Sequence, residues 1–401
     1  MKIQPTLILI LLYTLLQVIY LWKTFLDSAW PFKKYKVKEQ TILEKIHSVN
    51  EEQRVNNVDI FGHVNNLNTS AILVIQVHNR SHYLKHLIHS LSTAEGINKT
   101  LLIFSHDLWD DELNRLVNEI DFARSLQIFF PYSIQAQKNV FPGHSSNDCP
   151  SRITKEEAEK RGCANAKWPD QYGHYRDAKL SQMKHHFWWK ANYVFNELNI
   201  SKNYQGLVLF LEEDYYLSKD FLSVLLLMEK ERDLHFPTYE ILSLGNHKLM
   251  DYEKTHNSIH LTHWSNTKHQ GIAFNREVWV KIHACSLAFC LFDDYNWDYS
   301  FLHVSTSCLK EKLKVMFIKG SRWCHIGECG VHFKKSKCDA EEAVKRAKNN
   351  LERLNPYLFP TKLNIGSFQP NHDARILPGF GGWGDKRDHL LCMNISTCSS
   401  L

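Results

Sequence analysis

The sequence predicts an α/β fold in which a mostly parallel sheet is flanked by helices, stabilised by disulfides and preceded by one N-terminal transmembrane helix. Apolar runs alternate with amphipathic stretches, as in βαβ units. Eight of the ten cysteines lie in the C-terminal third, and an uncharged apolar segment lies near the N-terminus. With 44% hydrophobic and 23% charged residues in a length of 401, the chain suits a packed globular body rather than a disordered one. Basic residues are dispersed, so we expect no nucleic-acid binding.

The N-terminal apolar segment predicts a membrane anchor. A helix of its 17 core residues, 6–22, would span about 26 Å. The alternative, a cleaved signal peptide, is less favoured because the run is long and no small-x-small site follows. Lysines after the span favour a cytoplasmic body, whereas the cysteines and five N-x-S/T sequons favour a lumenal one. We expect a type II protein with a cytoplasmic tail (1–5), an anchor (6–22), a stem (23–67) and a lumenal catalytic domain (68–401).

The body begins with alternating strands and helices. Short apolar runs are typical of buried parallel strands, and apolar residues at i, i+3 and i+4 are typical of helices. These patterns predict strands over 71–77, 100–107, 126–133 and 206–214, and helices over 82–94, 111–120 and 176–198. Polar clusters follow three of the strands. Because ligands gather at the carboxyl ends of parallel strands, we expect these clusters to form one site.

The acidic cluster at 212–214 is the first candidate for chemistry. Carboxylates after a buried strand are costly unless they bind a cation or accept hydrogen bonds. They could hold a divalent metal on a nucleotide diphosphate, or they could be a solvated strand end that starts a helix. Arg80 could pair with phosphate and Asp107 could accept from a base or ribose, although each alone also suits an ordinary ion pair. His325, between cysteines, could complete a metal site or be structural.

The segment 290–300 is the second candidate. It interleaves three carboxylates with Tyr295, Trp297 and Tyr299. Aromatic rings can stack on sugar faces while a nearby carboxylate takes a hydroxyl proton. The same pattern also fits a buried aromatic cluster whose acids cap helix starts. The residues alone leave both interpretations open.

Eight motifs in order give a more specific indication. They resemble the N-acetylglucosaminyltransferase II family over about residues 70–392. The resemblance implies a GT-A fold and an inverting, Mn²⁺-dependent transferase in the Golgi membrane, with a single-pass type II topology and a lumenal catalytic domain. The donor would be UDP-GlcNAc, and the acceptor would be the α-1,6-arm mannose of an N-glycan, joined in β-1,2 linkage. The motifs are QVHNR, FSHD, FFPYSIQ, GHYRDAKLSQMKHHFWWK, FLEEDYYL, DDYNWD, HIGECGVHFKK and GGWGDKRDH.

The resemblance also implies residue roles. Asp298 matches the catalytic base, and Asp214 and His325 match the metal ligands. The nucleotide-sugar contacts would be Gln76, Val77, His78, Asn79, Arg80, Asp107, Gln182, Met183, Lys184, His185 and His186. The disulfides would be Cys149–Cys163, Cys285–Cys308, Cys290–Cys392 and Cys329–Cys338.

Two expectations concern departures from that pattern. Cys324 and Cys398 are additional cysteines. We expect them to pair because Cys324 is adjacent to His325 and Cys398 lies near the bridged Cys392. The sequon at Asn79 lies inside the donor-binding motif, so we expect it to carry no glycan.

Three other functions remain open from the sequence. One is a related β-1,2-GlcNAc transferase with different arm specificity. Another is a glycosidase that uses paired carboxylates. The third is a non-catalytic glycan-binding protein on the same fold. Because Asp214, His325 and Asp298 are all present, nothing in the sequence indicates that catalysis is lost.

Overall fold

The computed structural model describes residues 41–65, 67–246, 251–265, 270–327, 340–370 and 379–397. The predicted tail and anchor, and the predicted stem up to residue 40, lie outside these ranges. Within them, no helix is long and apolar enough to cross a membrane.

The described chain is built on a large mixed sheet. Nine strands follow the order β11-β7-β9-β6-β8-β4-β1-β2-β3, and β10 and β5 form a separate antiparallel pair. Neighbours are mostly parallel, as predicted; the antiparallel pairs are β4–β8, β6–β8 and β7–β9. The strands are β1 Ala71–Val77, β2 Thr100–His106, β3 Arg124–Phe129, β4 Val208–Glu212, β5 Tyr215–Leu217, β6 Ile241–Ser243, β7 Ser258–His263, β8 Ile272–Phe274, β9 Lys314–Ile318, β10 Trp323–His325 and β11 Asn364–Phe368.

Helices cover both faces of the sheet. Helix α6 (Ala178–Asn192) is extended by a π-helical turn over Tyr193–Glu197, and the two together form the helix predicted over 176–198. The helices are α1 Ile42–Glu52, α2 Val58–Phe61, α3 Ser81–Ser92, α4 Asp111–Asn118, α5 Lys155–Arg161, α6 Ala178–Asn192, α7 Phe221–His235, α8 Tyr252–Thr255, α9 Arg276–His283, α10 Ser286–Leu291, α11 Trp297–Ser307, α12 Ala340–Glu352 and α13 Lys386–Thr397.

Each face of the sheet has its own hydrophobic core. Successive strand residues point to opposite faces, so Leu73 and Ile75 of β1 join one core and Ile72 and Val74 join the other. The first core lies under α3, α4 and α7, and the second lies under α6, α9, α11 and α13. Apart from Gln76, β1 is apolar because both of its faces are buried.

The strand predicted over 126–133 is displaced in the structure. It forms β3, which begins at Arg124 and ends at Phe129. Pro131 has no backbone N–H, so the hydrogen-bond ladder cannot continue through it. The neighbouring strands begin and end within two residues of their predicted bounds.

The folded body begins earlier than predicted. Helix α1 packs on β3, with Ile46 only 1% exposed. The Asn50 side chain bonds both backbone groups of Phe129, donating to its O at 2.7 Å and accepting from its N at 2.8 Å. Because β3 is an edge strand, Asn50 satisfies groups that would otherwise be unpaired. The compact unit of the chain thus begins at Ile42, inside the segment predicted as stem.

Three of the implied disulfides form in the described residues. Cys149–Cys163 closes the loop that contains α5, and the other two are Cys285–Cys308 and Cys290–Cys392. The Cys329–Cys338 pair lies outside the described residues.

The expected Cys324–Cys398 pairing is corrected by the structure. Cys324 is a free thiol, and Cys398 itself lies outside the described residues. The Cys324 sulfur packs under α12, 4.0 Å from Ala347 O. Helix α13, which precedes Cys398, packs instead on α6. A free Cys324 thiol contradicts the expected pairing.

Candidate active site

The candidate metal ligands are brought together by the small β5–β10 sheet. His325 pairs with Tyr215, the residue after Asp214. The backbone N–H of Ile326 donates to Asp214 O at 2.9 Å, which fixes the two segments further. His325 Nε2 lies 3.2 Å from Asp214 Oδ2. Residues more than a hundred positions apart thus form one polar pair at the carboxyl end of β4.

The surrounding charges favour an ionised Asp214. Arg80 donates from Nη1 to Asp214 Oδ2 at 2.8 Å and from Nε to Glu213 Oε1 at 2.6 Å. Although burial opposes it, the hydrogen bond from His325 and the Arg80 charge lower the pKa of Asp214. Burial likewise opposes a charged His325, but Asp214 raises the pKa of that imidazole. Glu213 also accepts from His78 N at 2.7 Å, so it holds the β1 end in place.

Asp214 retains an oxygen suited to a metal ion. Its Oδ1 is buried and has no hydrogen-bond partner within the described part of the chain. A Cβ added at Gly327 would lie 2.1 Å from Asp214 Oδ2, so only glycine leaves the carboxylate this room. Carboxylate and imidazole are ligands that Mn²⁺ accepts. The described residues contain no group of three or more potential ligands, so the remaining coordination would come from substrate or water oxygens.

A buried lysine lies beside this carboxylate cluster. Glu212 is paired with Gln76 across β4 and β1, and the Lys190 ammonium donates to Gln76 Oε1. Burial lowers the pKa of Lys190 to about 7 and raises the pKa of Glu212. Sequence reasoning did not assign a role to Lys190. The feature of the sequence that could have indicated it is a lysine directly after three aromatic residues, FWWK.

Asp107 organises a second cluster. Its Oδ1 lies 2.6 Å from His78 Nδ1, and its Oδ2 accepts from Gln182 Nε2 at 2.9 Å. Burial opposes both charges, but their mutual contact lowers the pKa of Asp107 and raises that of His78. His186, 4.0 Å from Asp107 and fully buried, has a pKa lowered by burial to about 3 and is neutral. Both Asp107 oxygens are therefore engaged in orienting neighbouring side chains.

The three acids of the 293–298 segment have different tasks. Asp293 accepts from the backbone N–H groups of Trp383 and Gln171, at 3.0 and 2.7 Å. Asp294 accepts from the N–H groups of Phe380 and Asn296, at 2.8 and 2.7 Å. These two carboxylates join the segment to the loop before α6 and to residues 379–397, called here the C-terminal tail.

Asp298, in the first turn of α11, is left available. Its Oδ1 accepts from Tyr299 N at 2.9 Å, and the side chain is partly exposed. Burial, together with the Asp294 and Glu212 charges, raises its pKa to about 7. A carboxylate with such a pKa is a stronger base than an exposed aspartate and still titrates near neutral pH. The adjacent Trp297 stacks on Phe187 at a centroid distance of 3.9 Å, which fixes the start of the helix.

Comparison with known proteins identifies the family. A family model described as N-acetylglucosaminyltransferase II (MGAT2) matches residues 43–392. The chain belongs to the N-acetylglucosaminyltransferase II family. The alpha-1,6-mannosyl-glycoprotein 2-beta-N-acetylglucosaminyltransferase of Rattus norvegicus is 41% identical over 351 residues, covering 86% of this chain and 78% of the relative. The protein of that name from Arabidopsis thaliana is 33% identical over 333 residues, covering 82% and 75%. The resemblance seen in the motifs is thereby confirmed.

Likeness to solved structures is weak. S. aureus TarS 1-349 overlaps with a TM-score of 0.33 at 10% identity, covering 64% of this chain and 60% of that one. The overlap is too loose to bear on fold or function.

The donor-contact stretch implied by the family resemblance divides into two groups. Gln182 and His186 lie one helical turn apart and face Asp107, as described above. Lys184 instead donates to the carbonyls of Phe292 and Asp294, at 3.0 and 2.9 Å.

His185 points away from Asp107 as well, with Nε2 2.9 Å from Asp388 Oδ1, while Met183 is partly buried. In the structure Lys184 and His185 therefore contact the 292–294 segment and Asp388, and their predicted contacts with the donor stay predictions.

The β1 motif also divides by position. Val77 is fully buried in the core, so its side chain cannot contact a donor, although its carbonyl accepts from Asp107 N at 3.2 Å. Gln76, His78 and Arg80 hold polar groups at the carboxyl end of β1, and Asn79 is exposed there. The alternation of β1 places core and site residues on opposite sides of one short segment.

Proposed function

We propose that this chain transfers GlcNAc from UDP-GlcNAc to the 2-hydroxyl of the α-1,6-arm mannose of an N-glycan, with inversion to a β-1,2 linkage. The observation that supports this most directly is Asp298. It is the one acid of its segment whose carboxylate is not used to join loops, its pKa is raised to about 7, and it lies near Glu212 at the end of β4. Family membership supports the donor, acceptor and linkage, since the relatives bear the name of that activity.

The chain's residues divide the reaction into two sides. On the acceptor side, the Asp298 carboxylate takes the proton of the attacking hydroxyl as its oxygen bonds to the anomeric carbon. On the donor side, the bond from that carbon to the β-phosphate oxygen breaks and UDP leaves. Arg80 lies at the phosphate side and Asp107 fixes His78 and Gln182 near the nucleotide. No covalent intermediate is needed, because a single displacement inverts the carbon.

Asp214 and His325 are the residues that would hold Mn²⁺. When bound, the ion supplies Lewis-acid stabilisation of negative charge on the diphosphate. The uncommitted Asp214 Oδ1 and the space left by Gly327 support this assignment. Glu213 acts on the site through Arg80 and His78 rather than as a base.

The setting of the enzyme is part of the proposal. The mixed α/β sheet and the family support a GT-A fold, and the apolar segment 6–22 supports a single-pass type II protein of the Golgi membrane with its catalytic domain in the lumen. The disulfides fit an oxidising compartment.

The test is a transfer assay with detergent-solubilised full-length chain, UDP-GlcNAc, Mn²⁺ and an N-glycan that bears GlcNAc on its α-1,3 arm alone. Mass spectrometry and linkage analysis should find one added GlcNAc on the α-1,6-arm mannose. Asp298→Asn and EDTA should each abolish it. Addition to a different mannose would move the proposal to a related β-1,2-GlcNAc transferase. A folded protein that binds UDP-GlcNAc but transfers nothing to any N-glycan would reject an enzymatic role in this reaction.

A further inference from the structure

A small cavity lies between the two sides of the proposed reaction. Its lining includes Glu212, two residues before Asp214, and Trp297, the residue before Asp298. In an inverting transfer, the diphosphate and the base lie on opposite sides of the anomeric carbon. The cavity between them is therefore placed to receive a substituent close to that carbon, and the nearest is the one on C2 of the donor sugar.

Two glutamine side chains in the cavity are held in one orientation. Gln76 Oε1 accepts from Lys190 Nζ. Gln270 Oε1 accepts from the Tyr215 hydroxyl. With the amide oxygen of each glutamine accepting one of these bonds, its NH₂ group is the donor that the side chain can offer to a ligand in the cavity.

The rest of the lining is complementary to an amide bearing a methyl group. Phe187, Trp297 and Ile272 supply apolar walls, and the rings of the first two are stacked at a centroid distance of 3.9 Å. Glu212 supplies carboxyl oxygens that can accept an N–H. An acetamido group has a carbonyl for the glutamine NH₂ groups, an N–H for Glu212 and a methyl for the apolar walls.

We infer that this cavity binds the 2-acetamido group of the donor sugar and that Gln76 and Gln270 select for it, oriented by Lys190 and Tyr215. The inference rests on the proposed function, which supplies the UDP-GlcNAc donor. It goes further by assigning the discrimination between GlcNAc and a sugar with a plain 2-hydroxyl to named residues. A sugar that lacks the acetamido group would leave polar groups of the site without a partner, and this weakens its binding relative to GlcNAc.

The test is calorimetric titration of the full-length chain, in Mn²⁺, with UDP, UDP-Glc and UDP-GlcNAc. The wild-type chain should bind UDP-GlcNAc at least about tenfold more tightly than UDP-Glc. Gln76→Leu and Gln270→Leu should each reduce that ratio by roughly fivefold, because each removes one neutral hydrogen bond. Both should leave the Kd for UDP within about twofold. Tyr215→Phe removes one oxygen and should lower the ratio, because Gln270 Oε1 loses the hydroxyl from which it accepts. Gln127→Leu, on β3 at the far edge of the sheet, is the matched control.

The outcomes separate the inference from the proposed function. Equal wild-type affinity for UDP-Glc and UDP-GlcNAc would overturn the inference, as would variants that weaken both sugar nucleotides equally. These results would leave GlcNAc transfer to the glycan untouched. Conversely, absence of glycan transfer by wild-type chain that still prefers UDP-GlcNAc would reject the proposed acceptor reaction alone. Loss of the preference in Tyr215→Phe supports orientation of Gln270 even where a glutamine variant folds poorly.

Discussion

The Asp298→Asn substitution should remove activity and at the same time stabilise the fold. The environment of Asp298 raises its pKa from 3.8 to about 7. At about 1.4 kcal/mol per tenfold change in the ionisation constant, the difference of about 3 corresponds to about 4 kcal/mol. The asparagine keeps an Oδ1 acceptor for Tyr299 N and is uncharged at every pH, so it avoids this cost.

The sign follows from proton binding. Between pH 3.8 and 7 the native chain binds more protons at Asp298 than the unfolded chain, so the stability contributed there falls as the pH rises. The gain from Asp298→Asn should therefore be about 2 kcal/mol at pH 5.5 and reach at most about 4 kcal/mol at pH 8. Exposed Asp121 is the control, since Asp121→Asn should change stability little at either pH.

Two assays check this reasoning together. Urea unfolding at pH 5.5 and 8 gives the stability difference, and kcat/KM from pH 5 to 8.5 gives the activity. In the wild-type chain, kcat/KM should fall below about pH 7 as Asp298 becomes protonated. In Asp298→Asn it should be lower by about 100- to 10,000-fold, the range for loss of a general base. A variant that is active, or whose stability gain over the wild-type chain is no larger at pH 8 than at pH 5.5, would refute the assignment.

The remaining predictions concern the metal site, the tail and a sequon. Gly327→Ala should push Asp214 aside, because the new Cβ would lie 2.1 Å from its Oδ2, and should weaken Mn²⁺ binding measured by EPR by roughly tenfold or more; unchanged binding would contradict the assignment of Asp214. Replacing Cys290 and Cys392 together by alanine opens a link spanning 102 residues and should cost about 4–5 kcal/mol in denaturant unfolding, whereas a cost below about 1 kcal/mol would count against the tail as a structural tie. Peptide mapping of active protein should find Asn79 without a glycan, and a glycan there would show that its motif does not contact the donor.

Much of the fold was predictable because local pattern and burial agree. Apart from Gln76, β1 is apolar because it is covered on both faces, and its bounds match those expected from the run itself. Helix α1 was missed as part of the body because it has one buried residue, Ile46, and its tie to β3 depends on the Asn50 side chain. An asparagine that pairs with an edge strand leaves no periodic pattern in the sequence.

The site was predictable in its residue types and less so in their tasks. The residues alone could not choose among the three acids of the 293–298 segment, because the choice depends on the tail that binds Asp293 and Asp294. Likewise, the partners of Lys184 come from a segment more than a hundred residues later. Contacts between distant segments decide these roles, and no spacing rule within a short motif reports them.

The ties to the tail also constrain the order in which the protein matures. The segment that carries Asp298 is held by backbone groups of Phe380 and Trp383 and by a bond to Cys392 in the last helix described. When Cys290 is added to the growing chain, its partner is 102 residues from being made, about 5–20 s at usual elongation rates. The native bridge and the hydrogen bonds from Phe380 and Trp383 can form only once the chain extends that far. The segment that carries Asp298 is therefore fixed in place late in synthesis.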